Sequence, residues 1–163
     1  MCIKQIILNN KIAWVALGLS CGALAFAYMS QYLWSSIPCE LCLLQRYPYM
    51  VVIVLALLGL WQKQFAGVRN VIIIAGFILT AGIAAYHVGV EQGLINAPES
   101  CSSSSNAGAS LEELKAAILN APKVSCKDVG ASFAGISMAG WNMVYGIMSA
   151  IIIGVLWRKQ RRK

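Results

Sequence analysis

An all-α integral membrane fold is what this sequence predicts, a four-transmembrane-helix bundle in one domain over residues 1–163, and three observations predict it. The composition is 59% hydrophobic and 12% charged, with a mean hydropathy of +0.69, more apolar than ordinary soluble domains. Four apolar runs each approach the roughly 20 residues that cross about 30 Å of hydrocarbon. Most Lys and Arg residues fall at the termini and in one of the three connections, the asymmetry that orients membrane helices.

The first run covers residues 12–34. Lys4 and Lys11 precede it and Ala23-Leu24-Ala25 imitates a leader cleavage site, but the run continues past these alanines to Trp34, so an uncleaved anchor is expected. Residues 43–61, 71–90 and 141–157 are the second, third and fourth runs. None alternates as a barrel strand does, and a helix satisfies its own backbone polar groups, as hydrocarbon demands. Gly18 and Gly22 have the spacing that lets helices approach closely, a common pattern.

Charge sets the expected topology. Lys4, Lys11, Lys63, Arg69, Arg158, Lys159, Arg161, Arg162 and Lys163 share one side, and all six acidic residues share the other with Arg46, Lys115, Lys123 and Lys127. Both termini are therefore expected in the cytoplasm, with outer loops at residues 35–42 and 91–140. The net charge of +7 then forms a rim facing the anionic lipid bilayer, not a nucleic-acid site. Trp14, Trp61 and Trp157 near the inner ends, and Trp34 and Trp141 near the outer ends, form the two interfacial belts.

The longer outer loop opens on turn formers around Asn96-Ala97-Pro98 and a serine tract from Ser102 to Ser105, composition that favours a mobile, exposed Cys101. Ser110 and Glu113 form a capping box, Leu111, Leu114 and Ile118 recur on one face, and Pro122 closes the segment. A short amphipathic helix is expected there, lying on the membrane surface or packed on the rest of the loop.

Four of the six cysteines, Cys39, Cys42, Cys101 and Cys126, fall on the outer, oxidising side. Cys21, in the first run, and Cys2 read as small buried or incidental thiols. Cys39 and Cys42 form a Cys-x-x-Cys just after Pro38. With the second helix starting there, both occupy its first turn, where free N–H groups favour a thiolate. Arg46, one turn beyond Cys42, can stabilise that thiolate and donate to an acceptor's oxygen; its plainer role is an interface cation. An arginine a turn inside the membrane edge, beside a thiol pair, points to function. His87, the sole histidine, lies near the outer end of the third run. It can bond a ligand carbonyl, relay a proton, or reach only backbone or water, and Glu91 can orient it.

Pro38-Cys39-Glu40-Leu41-Cys42-Leu43-Leu44-Gln45-Arg46, the later pair Cys101 and Cys126, and Gly135-Ile136-Ser137-Met138-Ala139-Gly140-Trp141-Asn142 together resemble the DsbB family of bacterial inner-membrane disulfide-bond formation proteins. The resemblance covers nearly the whole chain. It implies a four-helix bundle in the bacterial inner membrane, a periplasmic DsbA-like thiol oxidase as partner, and a membrane quinone, ubiquinone or menaquinone, as electron acceptor. Cys101 and Cys126 would form the disulfide that the partner attacks; Cys39 and Cys42 would reoxidise it, with Cys42 facing the quinone. Arg46 matches the family's quinone-contacting arginine, and His87 falls roughly where members place a residue near the quinone ring.

Two pairs in separate loops suit stepwise transfer through mixed disulfides. Competing readings remain open: a structural disulfide between Cys101 and Cys126, which would constrain the unfolded chain by roughly 3 kcal/mol, or a non-catalytic membrane protein whose outer thiols bind a structural metal such as zinc. A thiol oxidoreductase of the vitamin K epoxide reductase type would place its quinone-facing Cys-x-x-Cys after the loop cysteines, the reverse of the order found.

Overall fold

The computed structural model describes residues 2–33, 38–61, 65–96, 98, 126 and 132–162, with side chains in the first stretch described from Lys11 onward. The elements are α1 (Cys2–Leu33), α2 (Glu40–Leu44), α3 (Arg46–Trp61), α4 (Ala66–Glu91), the short strands β1 (Ser132–Phe133) and β2 (Ile136–Ser137), and α5 (Met138–Arg161). Four stretches, Lys11–Leu33, Glu40–Trp61, Ala66–Glu91 and Met138–Arg161, are helical, long and apolar enough to cross a membrane. The fold is thus a four-helix membrane bundle. The expected short helix around residues 110–122 and Cys101 lie outside the described residues.

α4 packs along α5 and α3, and α1 packs on α3 and α5. The shared core is Ile12, Ala16, Tyr49, Val52, Ala56, Ile73, Phe77, Ala150 and Ile153. Large apolar side chains such as Phe26, Leu57, Ile78 and Ile147 point outward; a helix apolar all round belongs in hydrocarbon. The tight crossings are not at Gly18, which has nothing within 4 Å. They are at Gly76, where a Cβ would lie 2.8 Å from Val52 Cγ2, and at Gly146, where it would lie 3.0 Å from the Phe77 carbonyl oxygen.

The structure departs from the sequence expectations in four places. The second span is two helices, with a turn at Gln45. Pro48 explains the break: it lacks the N–H that would bond the Leu44 carbonyl, and its ring crowds that residue. α4 begins at Ala66, so Arg69, expected in a loop, is helical and buried. Its guanidinium lies against Gly59, where a Cβ would sit 2.7 Å from it. Cys21, expected as a buried or an incidental thiol, is exposed on α1, so only its buried reading fails. Finally, α5 is preceded by an antiparallel hairpin pairing Ser132 with Ser137 and Phe133 with Ile136. Its central residues, Ala134 (φ 53°) and Gly135 (φ 77°), are both left-handed, the conformation a two-residue hairpin turn needs. Trp141 Nε1 donates to the Phe133 carbonyl at 3.0 Å, which ties the hairpin to α5, and the Ser137 hydroxyl caps that helix by accepting from Gly140 N–H at 3.1 Å.

Candidate active site

The Cys-x-x-Cys sits where α2 begins. Cys39 is the N-cap, with extended backbone (φ −73°, ψ 169°), and Cys42 is the third helical residue, so only Cys42 lies in the first turn. The Cys39 sulfur accepts from Cys42 N–H at 3.4 Å, and the two Sγ atoms are 2.9 Å apart. With Cys39 ionised, its sulfur can only accept, and the Cys42 S–H is then the donor that stabilises the thiolate. Both are free thiols.

His87 comes from the buried face of α4, which also carries Phe77, Thr80, Ala84 and Val90. It is 3% exposed. Its Nε2 lies 3.6 Å from Cys39 Sγ and 3.7 Å from Glu91 Oε1, while Nδ1 lies 3.1 Å from Gln45 Nε2. These groups hold the Cys39 thiol far below its ordinary 9.0, at about 4. The hydrogen bond from Cys42 contributes most, burial opposes it, and His87, through its hydrogen bond, lowers it further.

Arg46 belongs to the other side of the pair. Its Nη1 donates to Gln31 Oε1 at 3.1 Å, and its guanidinium lies 4.9 Å from the centre of the Tyr28 ring; both partners are on α1. It still acts electrostatically on Cys42. Arg46 and His87, expected at similar depth, have separate protein partners: His87 goes with Cys39 and Gln45, and Arg46 with Gln31 and Tyr28. Leu43, Leu44 and Tyr47 beside Arg46 are exposed, an apolar surface next to a guanidinium donor, which suits a ring with carbonyl oxygens.

Cys126 is 1% exposed and disulfide-bonded. It forms a buried cluster with Cys39, Leu41 and Val90, against which Cys42 packs. Residues from the two outer loops therefore meet at the Cys-x-x-Cys. A sulfur in a disulfide is not a thiolate ligand, so a metal held by all four outer thiols does not fit. Among the described residues, Cys39, Cys42 and His87 have donor atoms within 4.8 Å of one another, a set of the kind that soft divalent cations take.

Comparison with known proteins decides the family. The model described as "Disulfide bond formation protein DsbB" matches residues 9–156. The chain belongs to the DsbB family. An uncharacterized protein of Rickettsia prowazekii is 28% identical over 144 residues, covering 87% of this chain and 84% of that protein. Proteins named disulfide bond formation protein B from Burkholderia ambifaria and B 1 from Burkholderia lata are 29% and 25% identical over 165 residues, covering 93% of this chain and 88% of each relative. No solved structure matches the chain. Family and fold together make this a multi-pass inner-membrane protein of disulfide-bond formation, with disulfide oxidoreductase activity, in a family that is generally quinone-linked.

Sequence reasoning did not find Gln45, Tyr49, Thr80 and Asn142 as site residues. Tyr49 O–H donates to Asn142 Oδ1 at 2.7 Å, Asn142 Nδ2 donates to Gln45 Oε1 at 2.7 Å, and Thr80 O–H donates to the Gln45 carbonyl at 3.0 Å. The signal available was four polar side chains within otherwise apolar spans.

Proposed function

We propose that this protein reoxidises a reduced, DsbA-like periplasmic dithiol protein and delivers the electrons to a membrane quinone, with Cys101 and Cys126 as the outer redox pair and Cys39 and Cys42 as the inner one. The observation that carries this reading is the shared buried cluster of disulfide-bonded Cys126 and Cys39. Exchange requires sulfurs that can meet and a thiol that is readily ionised; the cluster supports the first and the depressed Cys39 thiol the second.

The partner's thiolate breaks the outer disulfide, forming a mixed disulfide; its second thiol releases the outer pair as two thiols and leaves oxidised. The reduced outer pair then attacks the oxidised inner pair. Cys39 forms the new bond to Cys126 and Cys42 leaves as a thiolate, after which the outer thiols close and Cys39 is released. Two electrons have then moved inward. Free Cys39 and Cys42 beside an oxidised Cys126 match the stage reached after that transfer.

Arg46, held by Gln31 and Tyr28, would hold a quinone oxygen near Cys42, with Leu43, Leu44 and Tyr47 offering the apolar approach from the bilayer. A quinone supplies there an acceptor for two electrons and two protons. His87, expected from the sequence at the quinone, serves the Cys39 side in this reading. Both termini are cytoplasmic and the cysteines periplasmic, in keeping with the charge asymmetry.

The test is quinone reduction driven by a reduced periplasmic dithiol protein, with Cys39, Cys42, Cys101 and Cys126 each replaced by Ser. Every replacement should abolish sustained turnover, and continued quinone reduction by any of them refutes the route. Labelling of Cys101 by an impermeant reagent should occur from the periplasmic side; cytoplasmic labelling overturns the topology.

A further inference from the structure

The polar residues in the bundle form a chain whose direction can be worked out atom by atom. A carbonyl oxygen only accepts, so Thr80 must spend its O–H on the Gln45 backbone carbonyl, 3.0 Å away. Its oxygen then offers a lone pair to the Asn142 amide, 3.4 Å away, which must present its N–H. That fixes the Asn142 amide, with Oδ1 accepting from Tyr49 O–H at 2.7 Å. The same Asn142 nitrogen is 2.7 Å from the Gln45 amide, which must therefore present Oε1 to it. Gln45 is left with its N–H facing His87 Nδ1 at 3.1 Å. A ring nitrogen that receives a donor carries no proton, so the proton is on Nε2, which faces Cys39 Sγ at 3.6 Å and Glu91 Oε1 at 3.7 Å.

We infer that Tyr49, Asn142 and Gln45 form a one-way hydrogen-bond chain that fixes His87 as its Nε2–H tautomer and aims that N–H at the Cys39 sulfur. Gln45, Asn142 and Tyr49 are positioning residues, which act on Cys39 only through His87. Buried chains of this kind polarise along their length, so a change at the far end is felt at the near one. The tautomer follows from the bonding alone. Its consequence, that Cys39 is kept ready for exchange with Cys126, rests on the proposed function. The chain also bears on the Cys39, Cys42 and His87 metal-ligand set: a proton on Nε2 occupies the lone pair a cation would need.

Because His87 is the sole histidine, histidine-selective ¹⁵N labelling of the full-length protein in lipid nanodiscs gives one pair of ring-nitrogen resonances. The expected result is a protonated Nε2 and a bare Nδ1. Asn142→Leu, which removes a residue without a hydrogen bond to His87, should yield a mixture of tautomers and move the alkylation midpoint of Cys39, followed by peptide mapping, upward by about one pH unit, a tenfold change in thiolate. Other titratable or charged groups near the pair, Glu40 and Cys42 on α2, Arg46 on α3 and Glu91 on α4, are untouched by that change, and disulfide-bonded Cys126 does not titrate. If Asn142→Leu does not fold, Thr80→Val, which keeps the side-chain volume, is read in the same way. A wild-type His87 protonated on Nδ1, or an unchanged tautomer in the folded variant, overturns the chain. Neither measurement requires quinone turnover, so failure of the redox assay and failure of the tautomer assignment are separate results.

Discussion

Cys39 and Cys42 lie three residues apart, yet their surroundings differ in kind. Cys39 is buried, accepts hydrogen bonds from its own turn, and touches a histidine fixed from two other helices. Cys42 is only half-buried, and the charge that acts on it is Arg46, itself held by Gln31 and Tyr28 of α1. The first environment is built of fixed dipoles and suits a sulfur that must leave as a thiolate when the outer pair closes. The second joins a cation to an exposed apolar surface and suits an acceptor arriving from the bilayer. One short motif thus divides two tasks between its sulfurs, and it does so because α2 starts at Glu40, which leaves Cys39 outside the helix as its cap and Cys42 within it.

The largest effects come from removing either sulfur, and the two variants should fail differently. In Cys42→Ser the Cys39 thiolate can attack the outer disulfide at Cys126, releasing Cys101 as a thiol, and no Cys42 remains to draw Cys39 back into the inner disulfide, so a Cys39–Cys126 disulfide should accumulate, visible in non-reducing peptide maps. Cys39→Ser should lose turnover as completely without building up a Cys42–Cys126 bond. Equal trapping by both variants would erase the distinction between the two sulfurs.

The bundle itself was legible because it rests on signals carried within short stretches of chain: apolar runs long enough to cross a membrane, separated by polar and charged connections. Cys39, Cys42 and Arg46 were legible for the same reason, being neighbours in sequence. The network behind Cys39 was not, since Gln45 and Asn142 are 97 residues apart and Cys39 and His87 are 48 apart. Their meeting depends on which helix faces pack together, which no local spacing records. The break at Gln45 was readable in principle from Pro48, and the hairpin before α5 was obscured by strands of only two residues each.

Acidity separates the sulfurs next. With Cys39 held at about 4 against an ordinary 9.0, its thiolate persists in mildly acidic solution. Its alkylation rate should change less than about threefold between roughly pH 8 and pH 5, where an ordinary thiol loses about a thousandfold, and should drop as pH passes through about 4. The sign for stability follows. A depressed folded value means that ionised Cys39 stabilises the fold fully above the unfolded value, and that this contribution shrinks as pH falls and is gone below the folded one. An alkylation midpoint near 9 would show that Cys39 has no special environment.

On the Cys42 side, Arg46→Ala removes a charged donor worth about 1.5–3 kcal/mol, or roughly 10- to 100-fold. That loss should appear in KM for quinone, with KM for the dithiol partner nearly unchanged. The reverse split would move Arg46 to the partner-binding surface and leave the acceptor without its anchor.

The smallest effect tests whether Arg46 must be held in place as well as present. Tyr28 lies under the guanidinium, and a cation–π contact at a partly exposed site is worth about 0.5–1 kcal/mol. Tyr28→Leu keeps an apolar side chain on α1 and removes only the ring's attraction, so KM for quinone should rise roughly two- to fivefold. The Cys39 alkylation profile should not move, because the hydrogen bonds fixing His87 run through Gln45 at the α2–α3 turn, Asn142 of α5 and Tyr49 of α3, and among the described residues none comes from α1. A shift of that profile in Tyr28→Leu would mean that the two environments are coupled through the Cys-x-x-Cys itself, and that the division of labour between Cys39 and Cys42 is not set independently from either side.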